Sequence, residues 1–205
     1  TGIVIIDTKP GVPYRDGVVT VAEPIPADVY TTPVMVGHYI YFGNQSATIS
    51  VFDTQTNKPL PGVIDVGAQP GSLVSILASP EPDVAYAVVA LGINSYGIVP
   101  IRDNSAVDAD RFREGLQAYE LPVGYLNFGS AAFSPGGEYL YVPGYSSAGG
   151  NGAAVHAIQL PIGQAAKTLA HTEIPLSMTD PAVTQLIAAN GLIYAIGSQW
   201  GATPP

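Results

Sequence analysis

Apolar residues in this chain come in short, nearly continuous runs, each closed off by Gly, Pro, Asn, Asp or Ser. Runs of this kind, bounded by turn formers, predict strands covered on both faces rather than a sheet with one wet side. Residues 133–145, FSPGGEYLYVPGY, show the pattern most clearly. Ser134-Pro135-Gly136-Gly137 predicts a turn, Glu138-Tyr139-Leu140-Tyr141-Val142 a strand, and Pro143-Gly144 its end.

That stretch is one copy of a repeat. Its Leu-Tyr pair recurs as Ile40-Tyr41, Ala85-Tyr86, Leu140-Tyr141 and Ile193-Tyr194, with the tyrosines 45, 55 and 53 residues apart. A turn precedes each pair, at Val36-Gly37, Glu81-Pro82-Asp83, Gly136-Gly137 and Asn190-Gly191. In two copies Ser79-Pro80 and Ser134-Pro135 stand just before the turn. An apolar run such as Pro33-Val34-Met35-Val36 or Ser130-Ala131-Ala132-Phe133 leads into the turn, giving strand a, and the tyrosine strand is b. Strand c reads Ile49-Ser50-Val51-Phe52-Asp53-Thr54, Gly97-Ile98-Val99-Pro100-Ile101 and Ala154-Val155-His156-Ala157-Ile158, and the opening Val4-Ile5-Ile6-Asp7-Thr8 matches the first of these. Strand d reads Val19-Thr20-Val21-Ala22, Ile64-Asp65-Val66-Gly67, Leu121-Pro122-Val123-Gly124 and Ile174-Pro175-Leu176-Ser177.

The expected fold is therefore all-β, a β-propeller of four-stranded antiparallel blades, because one such meander covers neither of its faces and must stack on neighbours to do so. Units fall at about residues 1–24 (partial), 30–67, 72–124, 129–177 and 182–205 (partial), about four blade-equivalents in a single propeller domain or propeller fragment. Strands c and d at the start and a and b at the finish would together make one blade, closing a four-bladed ring or joining a larger one. The competing architecture is a β-sandwich with coincidental spacing.

The segments SPGGEYLYV, VFDTQT and VIDVG resemble the YVTN-type propeller repeats of surface and periplasmic proteins. The resemblance runs over nearly all the chain and implies a ring of about seven blades, within the usual range for propellers. It implies a fold rather than an activity. Pro100 inside a c strand and a long glycine loop in the fourth unit depart from the repeat.

Composition narrows the function. Charged residues are only 11% of the chain, against about 25% in an ordinary globular domain. Seven basic and sixteen acidic residues leave a formal charge of −9, which argues against nucleic acid and anionic membrane surfaces as partners. No apolar stretch approaches the length of a membrane span; residues 84–93 come nearest. The absence of cysteine removes disulfides, thiolate metal sites and cysteine nucleophiles. Few lysines and much Thr, Ser, Gly and Tyr point to an extracellular, cell-surface or periplasmic setting.

Candidate chemistry is sparse. Loops joining b to c, and d to the next a, form one face of a propeller, and here they carry Tyr30, Tyr96, Tyr125, Phe128, Tyr145 and Trp200 among Asn, Gln and Ser. Aromatic rings with neutral polar neighbours suit a protein or carbohydrate partner, so Tyr96, Tyr125, Phe128, Tyr145 and Trp200 are the candidate ligand-binding residues. Equally, they could wedge blades together. Asp103, Asp108 and Asp110 are weak candidates for a cation, since the calcium-loop order is missing and Arg111 and Arg113 compete for the carboxylates. His38, His156 and His171 fall at different points of their repeats, and their spacing suggests no convergence. No nucleophile elbow, P-loop or zinc motif is present, and no cofactor is expected. The leading expectation is a non-enzymatic scaffold or recognition module, completed by other segments or chains if the ring is larger. The alternative is a lactonase-like or quinoprotein dehydrogenase-like enzyme with its site at the central channel.

Overall fold

The computed structural model describes residues 4–6, 18–20, 29–66, 70–82, 84–92, 95–102, 119–121, 126–145, 152–160, 170–179 and 181–199. Strands β1 (Val4–Ile6) and β2 (Val18–Thr20) form a two-stranded sheet. Next come β3 (Val34–Val36), β4 (Tyr39–Gly43) and β5 (Thr48–Asp53), with β6 (Lys58–Pro59) and β7 (Ile64–Asp65) sharing the outer edge of β5. A four-stranded sheet of β8 (Leu73–Ala78), β9 (Val84–Gly92), β10 (Ser95–Arg102) and β11 (Tyr119–Leu121) follows. Another holds β12 (Ala132–Phe133), β13 (Tyr139–Tyr145), β14 (Gly152–Gln159) and β15 (His171–Thr179), and β16 (Pro181–Ala189) pairs with β17 (Leu192–Gln199). Every pairing between these strands is antiparallel, and among the described residues the only helical element is a 3-10 turn at Phe128–Ser130.

The repeat works as a register device. Tyr41 stands between Val34 and Val51, Tyr86 between Leu77 and Pro100, and Tyr141 between Ala132 and Ala157, while Tyr194 faces Ile187. The Ser-Pro turns are closed identically. The Ser79 N–H donates to the Val84 carbonyl at 3.0 Å and the Ser134 N–H to the Tyr139 carbonyl at 2.8 Å. Proline supplies the fixed φ of the turn while the serine hydroxyl takes a backbone N–H, from Glu81 at 3.1 Å in one copy and from Tyr139 at 3.0 Å in the other. Asn190 and Gly191 both have positive φ, 52° and 74°, the mirror-image turn whose twist suits a two-residue hairpin.

Consecutive sheets bury one another's faces. Along β9, Ala85, Ala87 and Val89 pack with Tyr39, Tyr41 and Ile49 of the preceding sheet. The alternate residues Val84, Tyr86 and Val88 pack with Leu140, Val142 and Ile158 of the following one. Successive strand residues point to opposite faces, so a strand with neighbours on both sides has no polar face to present. All six residues 84–89 are buried. A third contact layer joins Ala153, Val155 and Tyr141 to Leu186 and Ile193 of β16–β17.

The outer strands differ from expectation. The second unit's d strand is split: Lys58–Pro59 pairs first, Pro61-Gly62 loops out with Gly62 at φ 81°, and Ile64–Asp65 pairs further on. In the third unit the described pairing covers Tyr119–Leu121, and residues 122–124 of the expected strand lie outside the described residues. Pro100 pairs with Tyr86 of β9 on one side, and among the described residues β11 meets β10 at Tyr96, Gly97 and Ile98. Pro143 lies beyond the short β12.

Candidate functional site

The loop end of the sheets is built by the same two contacts in different units. Tyr30 donates its N–H to the Gly43 carbonyl at 2.7 Å, and Asn127 donates to the Pro143 carbonyl at 2.8 Å. Isolated bridges Val29–Asn44 and Leu126–Gly144 accompany them. In these two units the d-to-a crossing is thus tied to the end of a b strand. Glycine is required at position 43, because a Cβ there would lie 2.5 Å from Thr31 Oγ1 and 2.7 Å from Leu73 Cδ2. The Gly43 N–H donates to Thr31 Oγ1 at 3.1 Å.

Two aromatics turn inward and two outward. Phe128 is 1% exposed and belongs to the layer between the third and fourth sheets, with Tyr96 set edge-on to it at 5.2 Å between ring centroids. These two candidate residues act as a wedge between sheets, the packing role that competed with ligand contact in the sequence. Tyr145, by contrast, is 50% exposed and Tyr30 is 60% exposed. Tyr125, Trp200, Asp103, Asp108 and Asp110 lie outside the described residues. Next to the tie of Tyr30 to Gly43 stands Asn44. Buried Asn44 donates from Nδ2 to Thr48 Oγ1 at 3.0 Å and Ser50 Oγ at 3.1 Å, while its Oδ1 is buried with no hydrogen-bond partner.

One cluster was not legible in the spacing. His156 is fully buried on β14, and its ring stacks on that of His171 at 5.6 Å and 17°. Glu173 stands opposite His156 in the strand register. The histidines converge after all because His171 pairs with Ile158, two residues along β14, so both rings share one face of the sheet. His156 Nε2 lies 3.0 Å from the Tyr145 carbonyl, whereas Nδ1 has no hydrogen-bond partner. Burial pushes the His156 pKa below the ordinary histidine value, with His171 adding to the effect and the Tyr145 carbonyl and Glu173 opposing it. The ring is held neutral. Among the described residues no group of three His, Asp or Glu side chains is arranged to hold a metal ion.

Asp53, the acid of the VFDT segment, has a structural role. Its Oδ1 accepts the Gln55 N–H at 2.8 Å and its Oδ2 the Thr56 hydroxyl at 2.9 Å. Next to it, Thr54 donates its hydroxyl to the His38 carbonyl at 2.7 Å, fastening the c–d turn to the a–b turn. Burial acts to raise the Asp53 pKa, but the donors on Gln55 and Thr56 and the nearby His38 outweigh it and hold the carboxyl below its usual range.

No protein-family model and no curated protein matches the chain. Among solved structures it is similar to a provisionally assigned 6-phosphogluconolactonase from Bacteroides uniformis, at 14% identity and a TM-score of 0.51, over 82% of this chain and 46% of that one. It is also similar to one provisionally assigned the same way from Bacteroides fragilis, at 15% identity and a TM-score of 0.43, over 70% of this chain and 39% of that one. The chain spans less than half the length of either structure. The first likeness, at that identity, is one of fold: an all-β chain of antiparallel sheets stacked in series.

Proposed function

We propose that the stacked sheets are blades of a β-propeller and that the chain is a recognition module whose loop end binds a neutral glycan. The supporting observation is the division among the loop-end aromatics. Phe128 and Tyr96 are committed to packing, whereas Tyr145 and Tyr30 present about half or more of their surface to solvent at corresponding ends of their sheets. A rigid support under exposed tyrosines suits a sugar, whose C–H face lies on an aromatic ring while its hydroxyls reach neutral amides and hydroxyls. Tyrosine contributes contact area at small entropic cost. A net charge of −9 and loop sequences rich in Asn, Gln and Ser favour an uncharged ligand over an anionic one. Binding of this kind fits an extracellular, cell-surface or periplasmic protein.

The test is a glycan panel followed by titration of the best ligand. Tyr145→Ala and Tyr30→Ala are expected to weaken binding about tenfold or more, as loss of an aromatic contact worth about 1.4 kcal/mol would do, without moving the unfolding midpoint. Unchanged affinity in both variants overturns the reading, and selective capture of a peptide instead of a glycan reassigns the ligand. A second reading, lactone hydrolysis, is favoured by the fold likeness to the Bacteroides uniformis protein. Turnover of sugar lactones, retained when Tyr30 and Tyr145 are both removed, would replace the recognition module with that enzyme.

A further inference from the structure

In two units strand c carries a buried polar residue at the same register position, and in both it fastens the end of strand b. Ser50 stands opposite Phe42, the residue after the repeat tyrosine Tyr41, and its Oγ accepts from Asn44 Nδ2 at 3.1 Å. His156 stands opposite Val142, the residue after Tyr141, and its Nε2 lies 3.0 Å from the Tyr145 carbonyl. Ser50 is 3% exposed and His156 0%. Asn44 and Gly144 are equivalent, since each forms the bridge to the preceding crossing, so the tie reaches one residue further in the fourth unit. The third unit has Val99 at this position, opposite Ala87, and a valine has no group with which to make the tie.

The two ties differ in chemistry. A hydroxyl and an amide do not titrate, but an imidazole does. A carbonyl only accepts, so the proton of the neutral His156 ring sits on Nε2 and Nδ1 carries the lone pair. That Nδ1 is buried with no hydrogen-bond partner. A second proton would place a charge and an unmatched N–H in the core, a cost that a ring in water escapes. His171, stacked on the ring at 5.6 Å, opposes the charge, and Glu173, opposite His156 in the register, favours it. Among the described residues the layer on this face adds the phenols of Tyr86 and Tyr96, and phenols carry no charge in acid.

We propose that His156 is the positioning residue of Tyr145 and makes its tie acid-labile: protonation moves the imidazole into water, releases the Tyr145 carbonyl and loosens the end of β13 that presents the exposed ring. Burial lowers the His156 pKa in the closed state, whereas an opened ring titrates near the ordinary value of about 6.5. The closed state is therefore fully favoured at neutral pH. Below about pH 6.5 the open state gains up to about tenfold per pH unit, until the closed ring itself takes the proton. The tie in the second unit, beside Tyr30, has no such dependence. This gives the recognition reading a regulator, and rests on that reading only for Tyr145 as a contact to the glycan.

Native-state hydrogen exchange of the full chain between pH 7.5 and 5 tests the tie without a glycan. Protection factors, which remove the intrinsic pH dependence of exchange, are compared at two equivalent ends: residues 142–145 with 153–156, and residues 42–44 with 48–50. Expected is a fall of up to about tenfold per pH unit below about pH 6.5 at the fourth-unit end and none at the second-unit end. His156→Gln keeps an N–H for the carbonyl and cannot titrate, so its profile should be flat. Parallel loss at both ends, loss at neither, or a His156→Gln profile like the parent's overturns the proposal. If His156→Gln does not fold, the two ends of the parent still decide. A panel of neutral glycans run at pH 7.5 and 5.5 keeps the two readings apart. Binding that weakens in acid together with the exchange response supports both, whereas an exchange response with no glycan bound at either pH sinks recognition and leaves the tie standing.

Discussion

Replacing Phe128 by alanine tests whether the loop-end aromatics divide into wedge and contact residues. The ring is 1% exposed, lies in a layer with Leu126, Leu140 and Val142, and meets Tyr96 edge-on at 5.2 Å. Truncating a fully buried phenylalanine costs about 3–5 kcal/mol, the transfer of the lost carbons plus the cavity they leave. The edge-to-face pair accounts for about 0.5–1.5 kcal/mol beyond area alone. With a urea m-value near 2 kcal/mol/M, a loss of 3 kcal/mol moves the midpoint down by about 1.5 M. Phe128→Leu retains most of the volume and should recover more than half of that shift. Equilibrium urea unfolding followed by circular dichroism reads both variants. A Phe128→Ala midpoint within about 0.3 M of the parent would refute the reasoning, because a well-packed core cannot lose a ring so cheaply.

Other outcomes follow from single contacts. Tyr145→Ala, at a half-exposed ring, should change unfolding stability by less than about 0.5 kcal/mol in the same assay. Gly137→Ala forces a Cβ into a backbone with φ of 79° and to 3.4 Å from Pro80 Cγ, so calorimetry should show a loss of about 1 kcal/mol or more. Because the His156 pKa is lowered in the fold, the unfolded chain binds its proton first as pH falls. Stability should therefore decline below about pH 6.5, with His171 and Glu173 on the same sheet face modulating the slope, and His156→Phe should flatten that limb in urea unfolding at pH 5 and 7.5. The Asp53 pKa is lowered instead, so its contribution is complete above about pH 4 and is lost as pH drops through the folded value. Asp53→Asn should weaken the protein at neutral pH and reduce its acid sensitivity, measured by thermal melts between pH 2.5 and 7.

The sequence by itself determined the strands, their order and their grouping. Tyrosines at spacings of 45, 55 and 53 residues, turn formers ahead of each and unbroken apolar runs such as residues 84–89 are local facts, and local facts decide which segments pair in a meander. Outer strands were read less well, because an edge has one neighbour and tolerates the interruption at Pro61-Gly62 that a central strand would not. Side-chain roles depended on what lies across the layer. Nothing in the sequence separates Phe128 from Tyr145, both aromatic and both near loops; stacking of the third sheet on the fourth buries one and leaves the other in water. His156 and His171, fifteen residues apart, meet only through the register of β14 with β15. Tyr194 is the same residue of the same repeat as Tyr41, yet one is 46% exposed and the other 0%. Burial belongs to the neighbouring sheet, not to the residue, and so only the tertiary structure could show which copies of the repeat tyrosine are covered.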